Sequence, residues 1–517
     1  MKIQNFISFI EHSRLRHCIF AIISWIFLRI FFEGILEIFH AIGYSKFSYR
    51  VLLMYFVHFP LFYLFTFLLV TILLSVILRE DLIRVTKIAS IGFGLIILIP
   101  VIDHLICGGC FISYPSNLQR YFLHFLNPFV SLTDVGISIG QRVVIVVICL
   151  FAAIYGYLKT AKIVKAIAIF FIILLAILSS GGITTMIACN KPADFFLIGG
   201  ILKTDTQKFS AIYALFFIII FLMYLFILNK KDFQLLTSSM RIERMVFYGG
   251  LGVAGFVLAN HQSKILDHND LFNSLAIIII FLCPCLGFWA LQILNDFFDA
   301  EADVISRPRN PIVRGIKKSY YSLAGLFLFL IVLILSAILN YQAFLIMLSF
   351  LLLGVLYSVP PVRLKRLPLV STFILSLAVL LSIGLGHSVV YYEKALNQMP
   401  SLLIYAVLLG VTFGFTAKDL NDAESDKQNG IITFPVLFYR SDTMMGRLPL
   451  SAIISLGFVF FAVFIPGVFV GAILCSLVIF FYTLLSKKPA EWFYFFMLFV
   501  FSIYLLLTYI NPIPPSP

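Results

Sequence analysis

Apolar runs long enough to cross a bilayer recur along almost the whole chain of 517 residues. Hydrophobic residues make up 62% of the sequence and charged residues only 12%, which is about half the charged share of an ordinary soluble domain. A spanning α-helix needs about 20 predominantly apolar residues, because its backbone must satisfy its own hydrogen bonds across the hydrocarbon. The runs are too long and too continuously apolar for barrel strands. The sequence therefore predicts an all-α polytopic membrane protein.

The apolar runs predict about fifteen spanning helices in two groups. Six are expected in the first part of the chain, at approximately 17–42, 51–78, 86–107, 142–158, 163–180 and 210–228. Nine follow, at approximately 245–260, 271–294, 319–339, 341–358, 368–390, 401–416, 449–465, 467–485 and 491–510. A polar, basic segment from Lys230 to Arg244 separates the groups. We therefore expect an N-terminal transmembrane domain of unknown role over residues 1–240 and a second domain over residues 241–517.

Basic residues lie on alternate hinges between the apolar runs. In the second part, Lys and Arg follow the second, fourth, sixth and eighth helices, whereas the intervening hinges are short or nearly uncharged. By the positive-inside rule, the basic hinges face the cytoplasm. These hinges and their attraction to anionic headgroups explain the net charge of +13, so no nucleic-acid partner is expected. We expect a multi-pass protein embedded in the lipid bilayer of the cell membrane.

Two acidic clusters interrupt the second part, and each has Asp at positions i, i+3 and i+7. The first runs from Asn295 to Asp303 and the second from Asp419 to Asp426. On an α-helix this spacing places three carboxylates on one face. Each cluster follows an even-numbered helix, so both are expected on the cytoplasmic side. Four predicted helices separate them, which suggests a duplicated helical unit that presents two acidic faces to one cavity.

The residue types in and around the clusters point to a bound metal and an anionic substrate. Six carboxylates at membrane ends repel one another unless a cation binds them. Mg²⁺ takes oxygen ligands and is usually bound through one or two carboxylates together with substrate phosphates. Neighbouring Arg and Lys can contact the remaining phosphate oxygens, and helices rich in Phe and Leu can hold an apolar tail. A diphosphate on an apolar tail is a prenyl diphosphate, whose allylic carbocation an apolar cavity would protect from water.

Four motifs in the second part resemble those of the UbiA-type intramembrane prenyltransferase superfamily. The first cluster matches the signature N-D-x-x-D-x-x-x-D, and residues 307–315 resemble the segment that follows it in the family. Residues 357–366, which include Pro-Pro-Val-Arg-Leu-Lys-Arg, resemble the basic motif after the fourth helix. The second cluster, extended by Lys418 and by residues 430–436, resembles the second aspartate motif. The resemblance covers residues from about 245 to 510, and residues 1–240 resemble no family that we recognise.

The resemblance implies a nine-helix bundle around a central cavity, preceded in this chain by about six extra transmembrane helices. It implies Mg²⁺-dependent transfer of a prenyl group from a polyprenyl diphosphate to a lipophilic or aromatic acceptor that the sequence does not identify. The implied metal ligands and catalytic residues are Asp296, Asp299, Asp303, Asp419, Asp422 and Asp426. The implied substrate-binding residues are Asn295, Arg307, Arg309, Tyr357, Arg363, Lys365 and Lys418. The chain departs from the family at Asn310, where family members often have Arg.

Other interpretations of the same residues stay open. An enzyme that cyclises or rearranges the prenyl chain without a separate acceptor would use the same diphosphate site. A transporter or cation-coupled carrier would use the acidic faces, although a cation path gains nothing from the basic residues beside them. Arg363 and Lys365 also fit positive-inside anchoring, and Tyr357 fits an interfacial aromatic belt. In the first part, Glu33 and Glu37 lie one turn apart on an apolar helix and indicate either pairing or an interior polar cavity.

Overall fold

The protein is described by a computed structural model that covers residues 2–38, 48–108, 118–126, 137–188, 200–263, 271–306, 310–391, 398–420, 423, 427, 432–438, 443–486 and 489–510. All regular secondary structure in these residues is helical. Fifteen helices among them are long and apolar enough to cross a membrane. The prediction of an all-α multi-pass membrane protein is therefore confirmed. The chain divides into two compact units, Met1–Lys230 and Lys231–Pro517.

The first unit contains six of the candidate membrane spans. Its helices are α1 (Lys2–Glu11), α2 (Leu15–Glu33), α3 (Tyr49–Leu53), α4 (Phe59–Leu78), α5 (Leu82–Phe93), α6 (Leu98–Cys107), α7 (Leu118–Leu126), α8 (Ile139–Thr160), α9 (Ile163–Ala188) and α10 (Asp205–Leu228). Capping boxes fix the starts of two of them. Ser138 caps α8 together with Gln141, and Thr204 caps α10 together with Gln207. Each pair satisfies backbone N–H groups that the first helical turn leaves without partners.

Helix α4 lies at the centre of the first unit. It packs against α5, α9 and α10, while α8 packs against α6 and α9, and α2 packs against α5. The core between α4, α5, α8 and α9 is formed by buried apolar side chains that include Val85, Cys149, Ile169 and Ile173. In a bilayer such contacts hold helices together mainly by close packing, because lipid tails are as apolar as the side chains.

The second unit contains the other nine candidate spans within the described residues. Its helices are α11 (Lys230–Ser238, beginning at the unit boundary), α12 (Ile242–Ser263), α13 (Leu271–Ser306), α14 (Lys318–Leu339), α15 (Tyr341–Ser358), α16 (Val370–Tyr391), α17 (Ser401–Gly414), α18 (Phe434–Phe438), α19 (Met444–Phe464), α20 (Phe469–Leu485) and α21 (Glu491–Ile510). Helices α13 to α17 pack in chain order, and the series continues through α19, α20 and α21. Helix α12 packs against α13, α16 and α21, so it joins the early helices of the unit to the last one.

The length of α13 explains where the first acidic cluster lies. This helix has 36 residues, whereas about 20 residues are enough to cross the hydrocarbon core. The cluster begins at Asn295, 24 residues after the helix starts at Leu271, so it falls in the last turns of α13. The helix therefore extends past the apolar span and carries the acidic residues on its final turns.

Glycines bring α12 and α16 into backbone contact. A Cβ atom added at Gly255 would overlap the carbonyl oxygen of Ile383, and one added at Gly386 would overlap the backbone of Gly252 and Phe256. Small residues at such crossings let two membrane helices approach closely enough for extensive van der Waals contact. The α12–α16 crossing therefore depends on glycine for space.

Replacing Gly255 with Ala is expected to destabilise the second unit by about 1–3 kcal/mol, because the added methyl group must displace backbone atoms. Gly250→Ala is the matched control on the same helix, since a Cβ atom there meets nothing within 4 Å. Thermal unfolding of the purified protein in detergent, followed by circular dichroism, measures both. Equal midpoints for the two variants would show that the crossing tolerates a methyl group.

Candidate active site

The first acidic cluster forms a buried face on the last turns of α13. Asp296, Asp299 and Asp303 are all buried, at 4%, 8% and 6% exposure. Their i, i+3, i+7 spacing places them on one side of the helix, as the sequence predicts. A carboxylate that leaves water needs hydrogen-bond donors or a cation, because burial otherwise costs several kcal/mol. The donors that surround each carboxylate therefore define the site.

Uncharged donors hold the two outer carboxylates. The Tyr321 hydroxyl, at the start of α14, donates to Asp296 Oδ2 at 2.7 Å. The amide Nδ2 of Asn310 donates to Asp303 Oδ2 at 2.9 Å and to the Asp296 carbonyl oxygen at 3.0 Å. Its Oδ1 accepts from the backbone N–H of Ile312 at 2.9 Å, which fixes the amide orientation. Asn310, where the family resemblance implies Arg, therefore binds the cluster without adding charge.

Two cations bind the central carboxylate. Arg363 Nη2 donates to Asp299 Oδ1 at 2.7 Å, and Lys365 Nζ donates to Asp299 Oδ2. Asn295 Nδ2 also donates to Asp299 Oδ2, at 2.8 Å. The Arg363 backbone is left-handed, with φ at 39°. That conformation is uncommon for residues with a side chain, and such outliers concentrate at functional sites.

The C-terminal end of α15 connects the two acidic motifs. Ser358 Oγ donates to Asn295 Oδ1 at 3.1 Å, next to the first cluster. The preceding residue, Tyr357, lies beside Lys418. Lys418 Nζ in turn donates to the carboxylate of Asp419, the first residue of the second cluster. Adjacent residues of one helix end thus contact both motifs, which lie more than 100 residues apart in the chain.

The second cluster begins on a different local structure from the first. Helix α17 ends at Gly414, and a 3₁₀ turn follows over Phe415–Asp419. Asp419 is buried. Asp422 and Asp426 lie outside the described residues, as do Arg307 and Arg309. The structure therefore describes the whole first acidic face but only the first residue of the second cluster, so the match between two helical faces stays a prediction.

Apolar cavities lie beside Lys418. One of about 40 Å³ is lined by Lys418 and by aromatic side chains that include Phe415, Phe458 and Tyr494. A second of about 50 Å³ shares Val411, Phe461 and Leu498 with the first and continues between α12, α16, α17 and α21. The Lys418 side chain therefore lines a mainly apolar, aromatic-walled space, to which Glu491 adds a carboxylate.

The carboxylate oxygens of the site suit a hard cation whose remaining ligands are phosphate and water oxygens. In the part of the chain that the structure describes, no three His, Cys, Asp or Glu side chains form a group that could hold a metal ion by themselves. Mg²⁺ is usually bound through one or two carboxylates, with phosphate oxygens and water completing its shell. The separated buried carboxylates of α13 and Asp419 offer only hard oxygen atoms. They fit Mg²⁺ that is shared with a diphosphate better than an all-protein metal cage.

The structure brings together most of the predicted site residues that it describes. These are Asn295, Asp299, Arg363 and Lys365 in one group, and Tyr357, Lys418 and Asp419 in another, with Asp296 and Asp303 on the same helix face as Asp299. Sequence reasoning missed Tyr321 and Ser358. Ser358 lies inside the basic motif and was accessible to that reasoning. Tyr321 carries no such signal in the sequence, because the chain has 23 tyrosines and nothing distinguishes this one, which lies near the start of an ordinary helix.

The second unit is a membrane-embedded helical bundle in which buried carboxylates and cations meet beside apolar cavities. Residues 250–503 match the model of the UbiA prenyltransferase family, and this part of the chain belongs to that family. The predicted family and the predicted enzyme class, a prenyltransferase, are thereby confirmed. The N-terminal part has no family match, as expected.

Curated relatives come from archaea and share one name. The chain is 29% identical over 206 residues to digeranylgeranylglyceryl phosphate synthase of Pyrococcus horikoshii, covering 38% of this chain and 66% of that protein. It is 28% identical over 237 residues to the protein of the same name from Thermococcus sibiricus, covering 43% and 80%. It is 32% identical over 166 residues to the protein of the same name from Sulfurisphaera tokodaii, covering 31% of this chain and 56% of that protein. The chain thus spans about two thirds of the length of the first of these relatives.

Solved structures of the family align with about half of the chain. A UbiA homolog from Archaeoglobus fulgidus bound to DMAPP and Mg²⁺ is 20% identical, with a TM-score of 0.36, covering 53% of this chain and 100% of that one. The apo UbiA homolog from Aeropyrum pernix K1 is 19% identical, with a TM-score of 0.40, covering 52% and 98%.

Proposed function

We propose that residues 241–517 transfer a prenyl group from a prenyl diphosphate to an acceptor within the membrane, in a Mg²⁺-dependent reaction. The observation that carries the proposal is the convergence of Arg363 and Lys365 on Asp299, which joins two motifs about 65 residues apart into one charged site. The family membership of residues 250–503 supports the same reaction class. The DMAPP- and Mg²⁺-bound homolog supports the donor and the metal as the first ligands to test.

The cations are assigned to the diphosphate. Arg363 presents a planar guanidinium that matches phosphate oxygens, and Lys365 is a compact point charge on the same carboxylate. Lys418 is a further point charge beside Asp419. Each of these cations is paired with a carboxylate here, Asp299 or Asp419. A diphosphate would compete for them, and the carboxylates released would then accept Mg²⁺. The metal residues in this proposal are Asp296, Asp299, Asp303 and Asp419, with Asp422 and Asp426 added from the family motif.

The chemistry follows from the two halves of the site. The bond between the allylic carbon and the diphosphate oxygen breaks, and the electron pair leaves with the diphosphate. Bound Mg²⁺ would neutralise charge on that leaving group. The aromatic and aliphatic walls beside Lys418 would exclude water from the allylic cation. An acceptor hydroxyl then forms the new carbon–oxygen bond and loses its proton to solvent.

The shared name of the curated relatives supports a glyceryl phosphate lipid as the acceptor class to test first. Such an acceptor carries both a hydroxyl nucleophile and a phosphate, so it suits a site rich in Arg and Lys. The basic hinges support a site on the cytoplasmic side, because Arg363, Lys365 and Lys418 all lie on hinges that the positive-inside rule assigns there.

Purified full-length protein, reconstituted with labelled geranylgeranyl diphosphate and a geranylgeranylglyceryl phosphate acceptor, is expected to release diphosphate and form a doubly prenylated lipid. Removing Mg²⁺ with EDTA should stop the reaction, and added Mg²⁺ should restore it. Thin-layer chromatography with mass spectrometry measures the product.

Two further measurements separate the remaining alternatives: a reaction with the donor alone, and a vesicle assay for transport of unchanged substrate. Prenyl product from the donor alone would favour cyclisation or rearrangement over transfer. Flux of unchanged substrate across vesicles, with no diphosphate released under any condition, would favour a transporter and overturn the proposal.

A further inference from the structure

The first unit contains a cavity that the proposed prenyl transfer does not use. Its volume is about 230 Å³, and its wall is mainly aliphatic and aromatic, with Phe67, Val70, Leu74 and Phe93 among its residues. Closed apolar cavities of about 150 Å³ already bind benzene-sized molecules, so this space is large enough for part of a hydrocarbon chain. All of its lining residues belong to Met1–Lys230.

A buried ion pair also lines this cavity. Arg29 Nη1 lies 2.8 Å from Glu33 Oε2, and the two side chains are only 2% and 3% exposed. The Arg29 guanidinium lies 5.9 Å from the centre of the Tyr63 ring. Ionisable side chains inside a membrane-spanning segment are costly and usually mark a ligand or ion site. The pair therefore supplies the charged groups in a mainly apolar wall, which also contains the uncharged polar side chains of Thr66 and Gln141.

Helix α2 is built with its charges inward. Its buried residues include Arg29 and Glu33, whereas Phe20, Phe27 and Phe31 are 68%, 59% and 58% exposed. This arrangement suits a helix whose apolar side contacts lipid and whose polar side faces an interior space. Both interpretations of Glu33 that the sequence left open apply, since Glu33 pairs with Arg29 and also lines a cavity.

We propose that this cavity binds a long-chain lipid alcohol, with the hydrocarbon tail in the apolar space and the hydroxyl at the Arg29–Glu33 pair. A guanidinium has several N–H donors and a carboxylate has several acceptor sites. The Arg29–Glu33 ion pair can therefore stay intact while Arg29 donates to the hydroxyl oxygen and Glu33 accepts from the hydroxyl hydrogen. The lining residue Phe151 is 53% exposed, so the cavity reaches the lipid-facing surface and a tail can enter from the bilayer.

The charge of the pair selects an uncharged head group. An anionic head would compete with Glu33 for Arg29 and leave a buried carboxylate without its cation. A cationic head would compete with Arg29 for Glu33 with the opposite result. Asp103, which is buried nearby, does not line the cavity, and its Oδ1 already accepts from the Gly140 N–H at 2.7 Å. A hydroxyl makes hydrogen bonds to both members of the pair and leaves its charge balance unchanged.

The test uses full-length protein in phosphatidylcholine nanodiscs and a diazirine-bearing octadecanol. Photolabelling is expected on α2, α4, α5 or α8, and octadecanol should compete at least tenfold better than stearic acid or stearylamine. Gly92→Leu fills the cavity, because Gly92 lines it and a Cβ atom there meets nothing within 4 Å. This variant should lower labelling at least tenfold. Gly34→Leu is the matched control, since Gly34 has equal space but does not line the cavity.

A second pair of variants keeps the test decisive if Gly92→Leu does not fold. Ala89→Leu also fills the cavity and should act as Gly92→Leu does. The double variant Arg29→Met with Glu33→Leu removes the pair as a unit and should abolish the preference for octadecanol over stearic acid. Labelling that is unchanged in the cavity-filling variants, or stearic acid that competes as well as octadecanol in the wild type, would overturn the proposal.

Discussion

Replacing Asp296 with Asn is expected to lower the rate of prenyl transfer by about 1,000-fold, which corresponds to about 4 kcal/mol of transition-state stabilisation. The Asn side chain has nearly the same size, and its amide oxygen can still accept the hydrogen bond from the Tyr321 hydroxyl. The fold should therefore survive while the carboxylate charge that binds Mg²⁺ is lost. Diphosphate release under saturating donor and acceptor, at several Mg²⁺ concentrations, measures the effect.

Glu301→Gln is the matched control for this variant. Glu301 lies on the same helix, five residues further on, and it is exposed. The substitution removes the same charge from the same helix, so a long-range electrostatic effect would lower both rates. We expect Glu301→Gln to keep at least half of the wild-type rate. If Asp296→Asn also kept half of that rate with an unchanged melting profile, Asp296 would not be an essential metal ligand.

Replacing Lys365 with Met is expected to lower kcat/KM for the prenyl diphosphate by about 10- to 100-fold, since hydrogen bonds to charged groups contribute about 1.5–3 kcal/mol. Lys365 Nζ donates to Asp299 and to Asn295, so its charge lies inside the proposed diphosphate site. Arg363→Lys should also lose activity, because an ammonium group cannot reproduce the planar contact of a guanidinium with phosphate oxygens. Steady-state kinetics with varied donor measures both variants.

Arg366→Met separates this role from membrane anchoring. Arg366 is the next residue but is exposed, and positive-inside anchoring would use it as well as Lys365. The diphosphate role predicts near wild-type kinetics for Arg366→Met, whereas anchoring predicts similar losses of correctly inserted protein for both variants. Equal kinetic defects in Lys365→Met and Arg366→Met would therefore refute the assignment of Lys365 to the substrate.

Much of the second unit could be predicted from the sequence because the physical signals there are strong. Runs of about 20 apolar residues have few stable alternatives to a spanning helix in a bilayer. The i, i+3, i+7 spacing of Asp296, Asp299 and Asp303 similarly fixes one helical face, and the structure has that face buried. The spacing could not show which donors hold each carboxylate, because Tyr321 and Asn310 approach from another helix and a loop.

Pairing inside the first unit was harder to predict. Glu33 and Glu37 are the conspicuous charges of that helix, but Glu33 pairs with Arg29, one turn earlier. The i, i+4 spacing of Arg29 and Glu33 is a local signal that the sequence does contain. The sequence offers an interior cavity only as one of two options and does not indicate which residues line it, because the wall combines residues of several helices whose packing depends on side-chain shape.

The end of α15 has a consequence for redesign. Ser358 contacts the first acidic motif and Tyr357 contacts the partner of the second, so one peptide unit fixes the spacing between both halves of the site. Grafting either aspartate motif alone onto another helical bundle would transfer its charges without that spacing. The smallest transplantable unit runs from the last turns of α13 to Asp426, the end of the second cluster, and a designer who wishes to change the acceptor should keep that block intact and vary the helices around it.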